Sequence, residues 1–160
     1  MKLPSSETKI ISRNDVKSLV RDWRDQGLTI AFTNGVFDIL HRGHLYSLEQ
    51  AAAFCDKLIV GVNSDASARS LGKGPDRPVN NEQDRALLIA GLASVDAVVI
   101  FDESTPWELL RDIKPDILAK GGDYKLEEIV GREFAGRVER LDLKKGLSTT
   151  KLIGKIRNYG

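Results

Sequence analysis

The sequence has little of what disulfide-bonded, metal-binding and membrane proteins need. Its 160 residues include one cysteine, Cys55, so no intramolecular disulfide can form among them. With only two histidines beside that cysteine, a four-ligand zinc site is not expected. No apolar run approaches the roughly 18 residues that cross a bilayer, and the first residues lack the apolar segment of a secretory signal. These absences predict a soluble protein of a reducing compartment, most simply the cytoplasm.

The chain also lacks an excess of charge of either sign. Lys and Arg number 24 and Asp and Glu number 23, which gives a formal net charge of +1 and argues against a nonspecific nucleic-acid binder. The charge is nevertheless unevenly spread. Residues 1–119 hold 14 basic and 17 acidic side chains, a net of −3, whereas residues 120–160 hold 10 basic and 6 acidic ones, a net of +4. We therefore expect an anionic ligand to contact the last quarter of the chain.

Common nucleotide-binding and hydrolase motifs are absent as well. No G-x-G-x-x-G follows an apolar run, no G-x-x-x-x-G-K-[ST] occurs, and no G-x-S-x-G nucleophile motif is present. A protein of this sequence that handled nucleotides would have to bind their phosphates with a different arrangement of residues.

Five short apolar runs alternate with helical patterns along the chain, which predicts an α/β fold. Runs that are apolar on both faces suit parallel strands covered by helices, so we expect a Rossmann-like, doubly wound parallel sheet of five strands. We expect one domain, with residues 1–27 as an N-terminal extension and helix and residues 28–160 as the core. The predicted strands are Leu28–Thr33, Lys57–Val62, Ala97–Phe101, Asp116–Lys120 and Val138–Leu141, and the predicted helices are Asn14–Gln26, His44–Phe54, Glu82–Leu92, Pro106–Ile113 and Thr149–Arg157.

The segment after the first predicted strand holds both histidines of the protein. His41 and His44 stand three residues apart at a predicted helix start, where side chains at positions i and i+3 lie on one side. Unpaired backbone N–H groups and the helix dipole attract anions there, and Gly43 allows a phosphate or a flat group to approach the backbone closely. Ligands of parallel sheets bind beyond the carboxyl ends of the strands. The histidine pair therefore predicts a phosphate site, and it lacks the further ligands that a metal site needs.

Residues 33–44, with the sequence Thr-Asn-Gly-Val-Phe-Asp-Ile-Leu-His-Arg-Gly-His, resemble the first signature of the nucleotidylyltransferase superfamily, the HxGH type. Residues 146–151, Gly-Leu-Ser-Thr-Thr-Lys, are similar to its second signature. Three further segments resemble the adenylyltransferase half of the bifunctional bacterial heptose-phosphate enzymes. These are Arg77–Asn80, the helix start at Asp84–Ala86 and the stretch Lys114–Tyr124.

The resemblance runs from about Leu28 to Ile156 and implies an adenylyltransferase. The implied reaction joins ATP and D-glycero-D-manno-heptose 1-phosphate to give ADP-heptose and pyrophosphate, for lipopolysaccharide or surface heptose synthesis. The sequence looks like the stand-alone form, so a separate sugar kinase would supply the heptose 1-phosphate, and the family implies a homodimer. Mg²⁺ is expected, held mostly by the triphosphate oxygens. Since the attacking phosphate is already an anion, catalysis reduces to aligning two anions and neutralising their charge.

Roles for individual residues follow from the resemblance and from their positions. The expected catalytic residues are His41, His44 and Lys73, the last in a loop whose flanking glycines suggest movement on binding. From spacing alone, helix capping is as good an explanation of Ser148, Thr149 and Thr150 as phosphate binding is. The resemblance favours phosphate binding. The expected nucleotide-binding residues are Thr33, Asn34, Phe37, Gly43, Gly121, Asp123, Ser148, Thr149 and Thr150, and the expected substrate-binding residues are Arg77, Arg85 and Lys120. Asp38 is expected to fix the turn after the first strand by local hydrogen bonds.

This sequence departs from the family pattern at one arginine, and three other functions are weighed against the adenylyltransferase. Cytidylyltransferase relatives carry an arginine shortly before the second signature, where this sequence has Leu143-Lys144-Lys145, and a lysine supplies charge without a bidentate fork. The alternative within the superfamily is a cytidylyltransferase acting on glycerol 3-phosphate or a similar alcohol phosphate, against which the missing arginine and the Lys120–Tyr124 segment argue. Two alternatives lie outside the superfamily. One is a non-catalytic nucleotide-sensing module, against which both signatures argue. The other is a synthetase-like nucleic-acid enzyme, against which the chain length and the near-neutral charge argue.

Overall fold

The computed structural model describes residues 4–122 and 124–160, and over these residues it has five strands in one sheet. The strands are β1 (Ile30–Gly35), β2 (Lys57–Asn63), β3 (Ala97–Phe101), β4 (Ile117–Gly121) and β5 (Arg137–Leu141). They lie in the order β3-β2-β1-β4-β5, and every neighbouring pair is parallel. The predicted α/β fold with a five-stranded parallel sheet is confirmed. Successive strands are added to one side of β1 up to β3 and to its other side from β4 onward, so the switch point lies between β1 and β4. Ligands of such sheets bind in the crevice beyond the carboxyl ends of the strands at the switch point, which makes this crevice the expected ligand site.

The helices cover both faces of this sheet. They are α1 (Val16–Asp25), α2 (Arg42–Ala52), α3 (Asp65–Ser70), α4 (Glu82–Ala90), α5 (Trp107–Ile113) and α6 (Thr149–Arg157), with short 3-10 turns at Ser6–Lys9, Leu126–Glu128 and Arg132–Phe134. One face packs against α2 and α4 through buried Leu48 and Ile89, and the other packs against α1 and α5 through buried Val20 and Leu110. Each fully buried aliphatic side chain of this kind contributes about 1.5–3 kcal/mol to folding. In the described part of the chain, no helix has the length and apolar character that a membrane crossing requires.

The N-terminal extension is packed onto the sheet. Ile10 bridges to Val98 in parallel, and the backbone N–H of Ile11 donates to the Val98 carbonyl at 2.8 Å. The lysine just before this bridge, Lys9, donates to the carbonyls of Leu92 and Val95. The extension therefore pairs with the outer edge of β3 at Val98, which opposes pairing of this strand with another chain at that position.

Two sequence predictions about the strands need correction. The first strand is Ile30–Gly35 instead of Leu28–Thr33, so Asn34 and Gly35 belong to the sheet and pair with Gly61 and Val62 of β2. The last strand, with predicted bounds Val138–Leu141, is expected to be apolar on both faces. It includes the charged residues Glu139 and Arg140, Arg140 is exposed, and the strand lies at the sheet edge. Charged side chains on an edge strand oppose pairing with another molecule.

Candidate active site

A cavity of about 380 Å³ opens beyond the carboxyl ends of β1 and β4. This volume lies within the range of small-ligand sites. Most of the predicted site residues line the cavity, namely Thr33, Asn34, Phe37, His41, Gly43, His44, Lys73, Arg77, Lys120, Gly121, Ser148, Thr149 and Thr150. Asp123, predicted to bind the nucleotide, lies outside the described residues. The fold thus brings the two signature segments to one place, and the binding roles of their residues stay predictions.

His41 and His44 stack on each other at the start of α2, with their ring centroids 3.8 Å apart. The Nδ1 atom of His41 accepts a hydrogen bond from the backbone N–H of Gly43 at 3.0 Å, and the Nδ1 atom of His44 accepts one from the backbone N–H of His41 at 3.3 Å. The two side chains thereby cap the helix reciprocally. An accepting ring nitrogen carries no proton, so each neutral imidazole has its proton on Nε2. That Nε2–H is the donor each ring offers to a ligand.

Both imidazoles of this pair are held in their neutral form. Burial lowers the pKa of His41. Burial and the neighbouring His41 ring lower the pKa of His44 to about 4, although Asp38 acts in the opposite direction. Lys73 adds a smaller contribution that lowers the pKa of His44 further. A bound polyphosphate would raise both pKa values, because it places negative charge beside the rings.

The positions of the two histidine rings depend on Gly43 and Phe37. A Cβ atom on Gly43 would lie 2.9 Å from Cε1 of His41 and 3.3 Å from Cβ of Leu147, so a side chain there would displace the capping ring. Phe37 packs edge-on against His44, with ring centroids 5.4 Å apart. Phe37 has a φ of 53°, a left-handed conformation that bulky residues rarely adopt and that tertiary contacts must hold in place.

Asp38 joins three segments of the site. Its carboxylate accepts hydrogen bonds from the backbone N–H groups of Val79 at 2.7 Å and Asn80 at 3.0 Å, and from Nε of Arg77 at 3.3 Å. Its carbonyl accepts one from the Thr149 hydroxyl at 2.7 Å. The structural role fits the prediction, but the prediction of local hydrogen bonds is wrong, because these partners lie 39 to 111 residues away. Asp38 therefore ties the first signature to the 77–80 segment and to the start of α6.

Four cationic side chains line the described wall of the cavity, Lys73, Arg77, Lys120 and Lys144. Nζ of Lys120 lies 3.4 Å from Oδ1 of Asn34, and burial lowers the pKa of this lysine. Nζ of Lys144 lies 4.9 Å from the centroid of the Tyr46 ring, which is within cation–π range. Asp38 is the acidic side chain among the described residues of this wall, so the four cations leave the wall with a net positive charge and the cavity favours an anionic ligand.

The start of α6 contributes its hydroxyl groups mainly to the fold. The Ser148 hydroxyl accepts from the backbone N–H of Lys151 at 3.1 Å and so caps the helix. The Thr149 hydroxyl donates to Asp38, and the Thr150 hydroxyl lies 3.5 Å from Nη1 of Arg77. Helix capping thus accounts for Ser148. The helix start still favours an anion, since the first-turn N–H groups of a helix have no partner within it.

Arg85 does not line the cavity, which corrects its predicted contact with substrate. Its side chain is fully buried, and its guanidinium donates to the backbone carbonyls of Val36, Asn63 and Asn80 and to the Asp65 carboxylate, all at 2.7–2.9 Å. An arginine engaged in this way is held away from ligand and links the loop after β1 to α3 and α4. The resemblance of Arg85 to a family arginine does not indicate whether its side chain is buried.

The turn before α6 forms part of the cavity wall, and Gln50, which is not among the predicted site residues, holds this turn in place. The Gln50 side chain donates to the Asp142 carbonyl and accepts from the Asp142 N–H, both at 3.0 Å, which fastens the turn to α2. Leu143 packs so closely over Gly121 that a Cβ there would lie 3.0 Å from Cδ2 of Leu143. Ser47 also lines the cavity, and its i+3 spacing from His44 was a signal for this position.

The family of the chain follows from comparison with known proteins. Residues 32–155 match the family model described as cytidylyltransferase-like, a stretch that includes both signature segments. The chain belongs to the cytidylyltransferase-like family. The predicted resemblance to the nucleotidylyltransferase superfamily is confirmed, and the stacked histidines, the cationic wall and the α6 start all lie within the matched residues.

Two curated relatives of this cytidylyltransferase-like chain are both named bifunctional protein HldE. The relative from Wolinella succinogenes is 50% identical over 151 residues and that from Caulobacter vibrioides 51% identical over 154 residues. Each alignment covers 94% of this chain and 32% of the relative, so the chain spans about a third of the length of these relatives.

Two solved structures share its fold. The lipopolysaccharide core biosynthesis protein from Thermoplasma volcanium is 31% identical with a TM-score of 0.62, and the match covers 74% of this chain and 98% of that one. Pantoate–beta-alanine ligase from Francisella tularensis, solved with beta-gamma ATP and beta-alanine, has a TM-score of 0.62 and covers 94% of this chain and 77% of its own. At 17% identity the second likeness concerns the fold alone.

Proposed function

We propose that this cytidylyltransferase-like chain is an adenylyltransferase that joins ATP and D-glycero-D-manno-heptose 1-phosphate to give ADP-heptose and pyrophosphate, for lipopolysaccharide or surface heptose synthesis. The observation that carries the proposal is the neutral, stacked pair of His41 and His44 in a cavity with four cationic side chains. About 50% identity to part of the HldE relatives, and 31% to a protein named for lipopolysaccharide core biosynthesis, supports the heptose substrate.

The proposed reaction is a single displacement at the α-phosphorus of ATP. An oxygen of the sugar phosphate forms the new bond to this phosphorus, and the bond to the oxygen that bridges to the β-phosphate breaks. Pyrophosphate leaves with that electron pair. The nucleophile is an anion at neutral pH, so no side chain has to remove a proton. This fits a cavity in which the Asp38 carboxylate is already occupied by Arg77 and two backbone N–H groups.

The side chains of the cavity supply hydrogen-bond donors and positive charge for this step. We assign the Nε2–H groups of His41 and His44 to the phosphates of ATP, where they stabilise the charge that develops on the α-phosphate. The loss of one such preorganised donor costs about 10²–10³ in turnover. Lys73 and Arg77 hold the two repelling phosphates together, and the start of α6 binds the terminal phosphates. Thr33, Asn34 and Lys120 contact the nucleotide and the sugar phosphate at the ends of β1 and β4.

ATP enters as its magnesium complex in this proposal. Mg²⁺ keeps several waters and is usually bound through substrate phosphates. Among residues 4–122 and 124–160, no group of three or more His, Cys, Asp or Glu side chains is arranged to hold a metal ion. We therefore treat the ion as part of the substrate, where it neutralises charge on the triphosphate.

The proposed substrate also sets requirements on other proteins. The sugar must be phosphorylated before this reaction, so a sugar kinase has to act first. We also expect a homodimer that works in the cytoplasm, where ATP is available. Sedimentation of the purified chain would test the dimer directly.

The test of the proposed function is pyrophosphate release with ATP, CTP, GTP and UTP, each paired with a panel of sugar and polyol phosphates. ATP with the heptose 1-phosphate should give the highest kcat/KM. A preference for CTP with glycerol 3-phosphate would favour the cytidylyltransferase alternative and contradict the proposal. Nucleotide binding without pyrophosphate release from any pair would identify a nucleotide-sensing module instead.

A further inference from the structure

A second cavity, of about 360 Å³, lies between residues 73–79 and α6. Lys73, Arg77 and Thr150 line both this cavity and the first one. Two cations therefore stand in a wall that the cavities share. An enzyme that joins two phosphorylated substrates needs two neighbouring sites whose phosphates meet at common positive charge.

Gly154 is an unexpected residue in the wall of the second cavity. It lies inside α6, where a glycine costs about 0.5–1 kcal/mol of stability relative to alanine. Its φ is not in the left-handed region, and a Cβ atom built on it would have no heavy atom of the surrounding protein within 4 Å. Neither the backbone conformation nor the packing requires a glycine here. The missing side chain instead leaves space in the cavity.

The other walls of this cavity suit a phosphorylated sugar. Arg157 adds a third cation, and its guanidinium lies 3.5 Å from the carboxylate of Asp76 in an exposed pair. A carboxylate and the Thr150 hydroxyl suit the hydroxyl groups of a sugar. Val79 and Ile153 provide apolar surface for the C–H face of the ring.

We propose that the second cavity binds the sugar phosphate while the first holds the nucleotide. This assignment rests on the proposed function. It places the sugar ring in the second cavity and the phosphate of the sugar beside Lys73 and Arg77, where the two cavities adjoin and the phosphate can contact the α-phosphate of ATP directly. Both anions then contact the same two cations. Gly154 then determines how large a sugar the enzyme accepts.

The substitution Gly154→Leu tests the assignment by filling the second cavity. The KM for the heptose 1-phosphate should rise about tenfold or more, equivalent to about 1.4 kcal/mol, while the KM for ATP changes less than about twofold. Gly154→Ala should give a smaller increase. Lys155→Leu is the matched control, because Lys155 is exposed on the same helix and outside both cavity walls. It should leave both KM values unchanged.

A second variant keeps the test decisive if Gly154→Leu folds poorly. Arg157→Gln removes an exposed charge in the last turn of α6 and should raise the KM for the sugar phosphate about threefold to tenfold. An unchanged KM for the sugar phosphate in both folded variants, or a raised KM for ATP alone, would overturn the assignment.

If the proposed function is wrong, the wild-type protein will release no pyrophosphate from any pair of substrates, and this result differs from a wrong assignment of the second cavity. Calorimetric titration of the heptose 1-phosphate into wild type and Gly154→Leu, with a non-hydrolysable ATP analogue present, then decides the assignment. Weaker binding to the variant supports it, and equal affinity contradicts it.

Discussion

The hydroxyl of Thr149 donates a hydrogen bond of 2.7 Å to the backbone carbonyl of Asp38, and this bond joins the two signature segments across 111 residues of sequence. Both groups are buried. A carbonyl that is removed from water must find a donor in the protein, because leaving it unpaired costs about 1–3 kcal/mol. The bond therefore keeps the start of α6 beside the histidine pair. The relative positions of the groups around the phosphate site depend on this buried bond, which also stabilises the fold.

Removing that hydroxyl should weaken both the fold and the site. Thr149→Val keeps the shape of the side chain and leaves the Asp38 carbonyl unpaired, so the free energy of unfolding should fall by about 1–3 kcal/mol. Urea denaturation measures this change. Thr105→Val, at an exposed threonine, is the control and should change stability by less than about 0.5 kcal/mol. Equal stability of the two variants would show that the Thr149 bond does not hold the segments together.

The substitution His41→Asn separates helix capping from phosphate binding. Asparagine is a preferred N-cap residue, so α2 should keep its cap and the protein its stability. The variant loses the Nε2–H donor, and turnover should fall about 10²–10³-fold. Steady-state kinetics and thermal unfolding of the same preparation measure both quantities. A stable His41→Asn protein with wild-type turnover would assign His41 to capping only.

The histidine pair should make the protein less stable in mild acid. The unfolded chain binds a proton on His44 near pH 6.5, whereas the folded protein does so only near pH 4, because burial lowers the pKa of His44 to about 4. The unfolded state therefore binds more protons between these pH values, and the free energy of unfolding must decrease as the pH falls through this window. After allowance for partial solvent exposure, the loss from pH 7 to pH 5 should be about 1 kcal/mol.

Urea denaturation of wild type and His44→Asn at both pH values measures the contribution of His44, since asparagine does not titrate. The loss should shrink in the variant. Carboxylates with lowered pKa values, such as Asp112, titrate below this window and should affect both proteins alike. The same pH dependence in the two proteins would contradict a neutral, buried His44.

Lys144 and Lys145 should differ in their effect on nucleotide binding. Lys144 lines the cavity and lies over Tyr46, whereas Lys145 is outside the wall. Lys144→Ala should raise the KM for ATP about fivefold to tenfold, and the increase should be smaller at high salt because screening weakens the charge it removes. Lys145→Ala should stay within about twofold. Equal effects of the two substitutions would mean that only the overall charge of the segment matters.

Arg85 should contribute to folding and not to substrate affinity. Arg85→Gln removes donors from the carbonyls of Val36 and Asn63 and leaves the Asp65 carboxylate without its buried partner. The free energy of unfolding should fall by about 3–5 kcal/mol. The KM values of the protein that remains folded should stay near wild type. A large rise in KM for the sugar phosphate at unchanged stability would restore the predicted substrate contact.

Local sequence patterns determined the secondary structure and the centre of the site. The strand Ala97–Phe101 and the helix Thr149–Arg157 have the predicted bounds, because apolar periodicity and capping residues act over a few neighbouring positions. The proximity of the two histidine rings follows from their i, i+3 spacing at a helix start.

The tertiary structure decided which distant residues join that centre. The partners of Asp38, the burial of Arg85 and the choice of Lys144 over Lys145 all depend on contacts between segments far apart in sequence. The space beside Gly154 exists only because α6 packs beside residues 73–79. Periodicity and spacing report which face of an element is apolar, but the order of strands and the packing of loops come from the competition of all segments for one core.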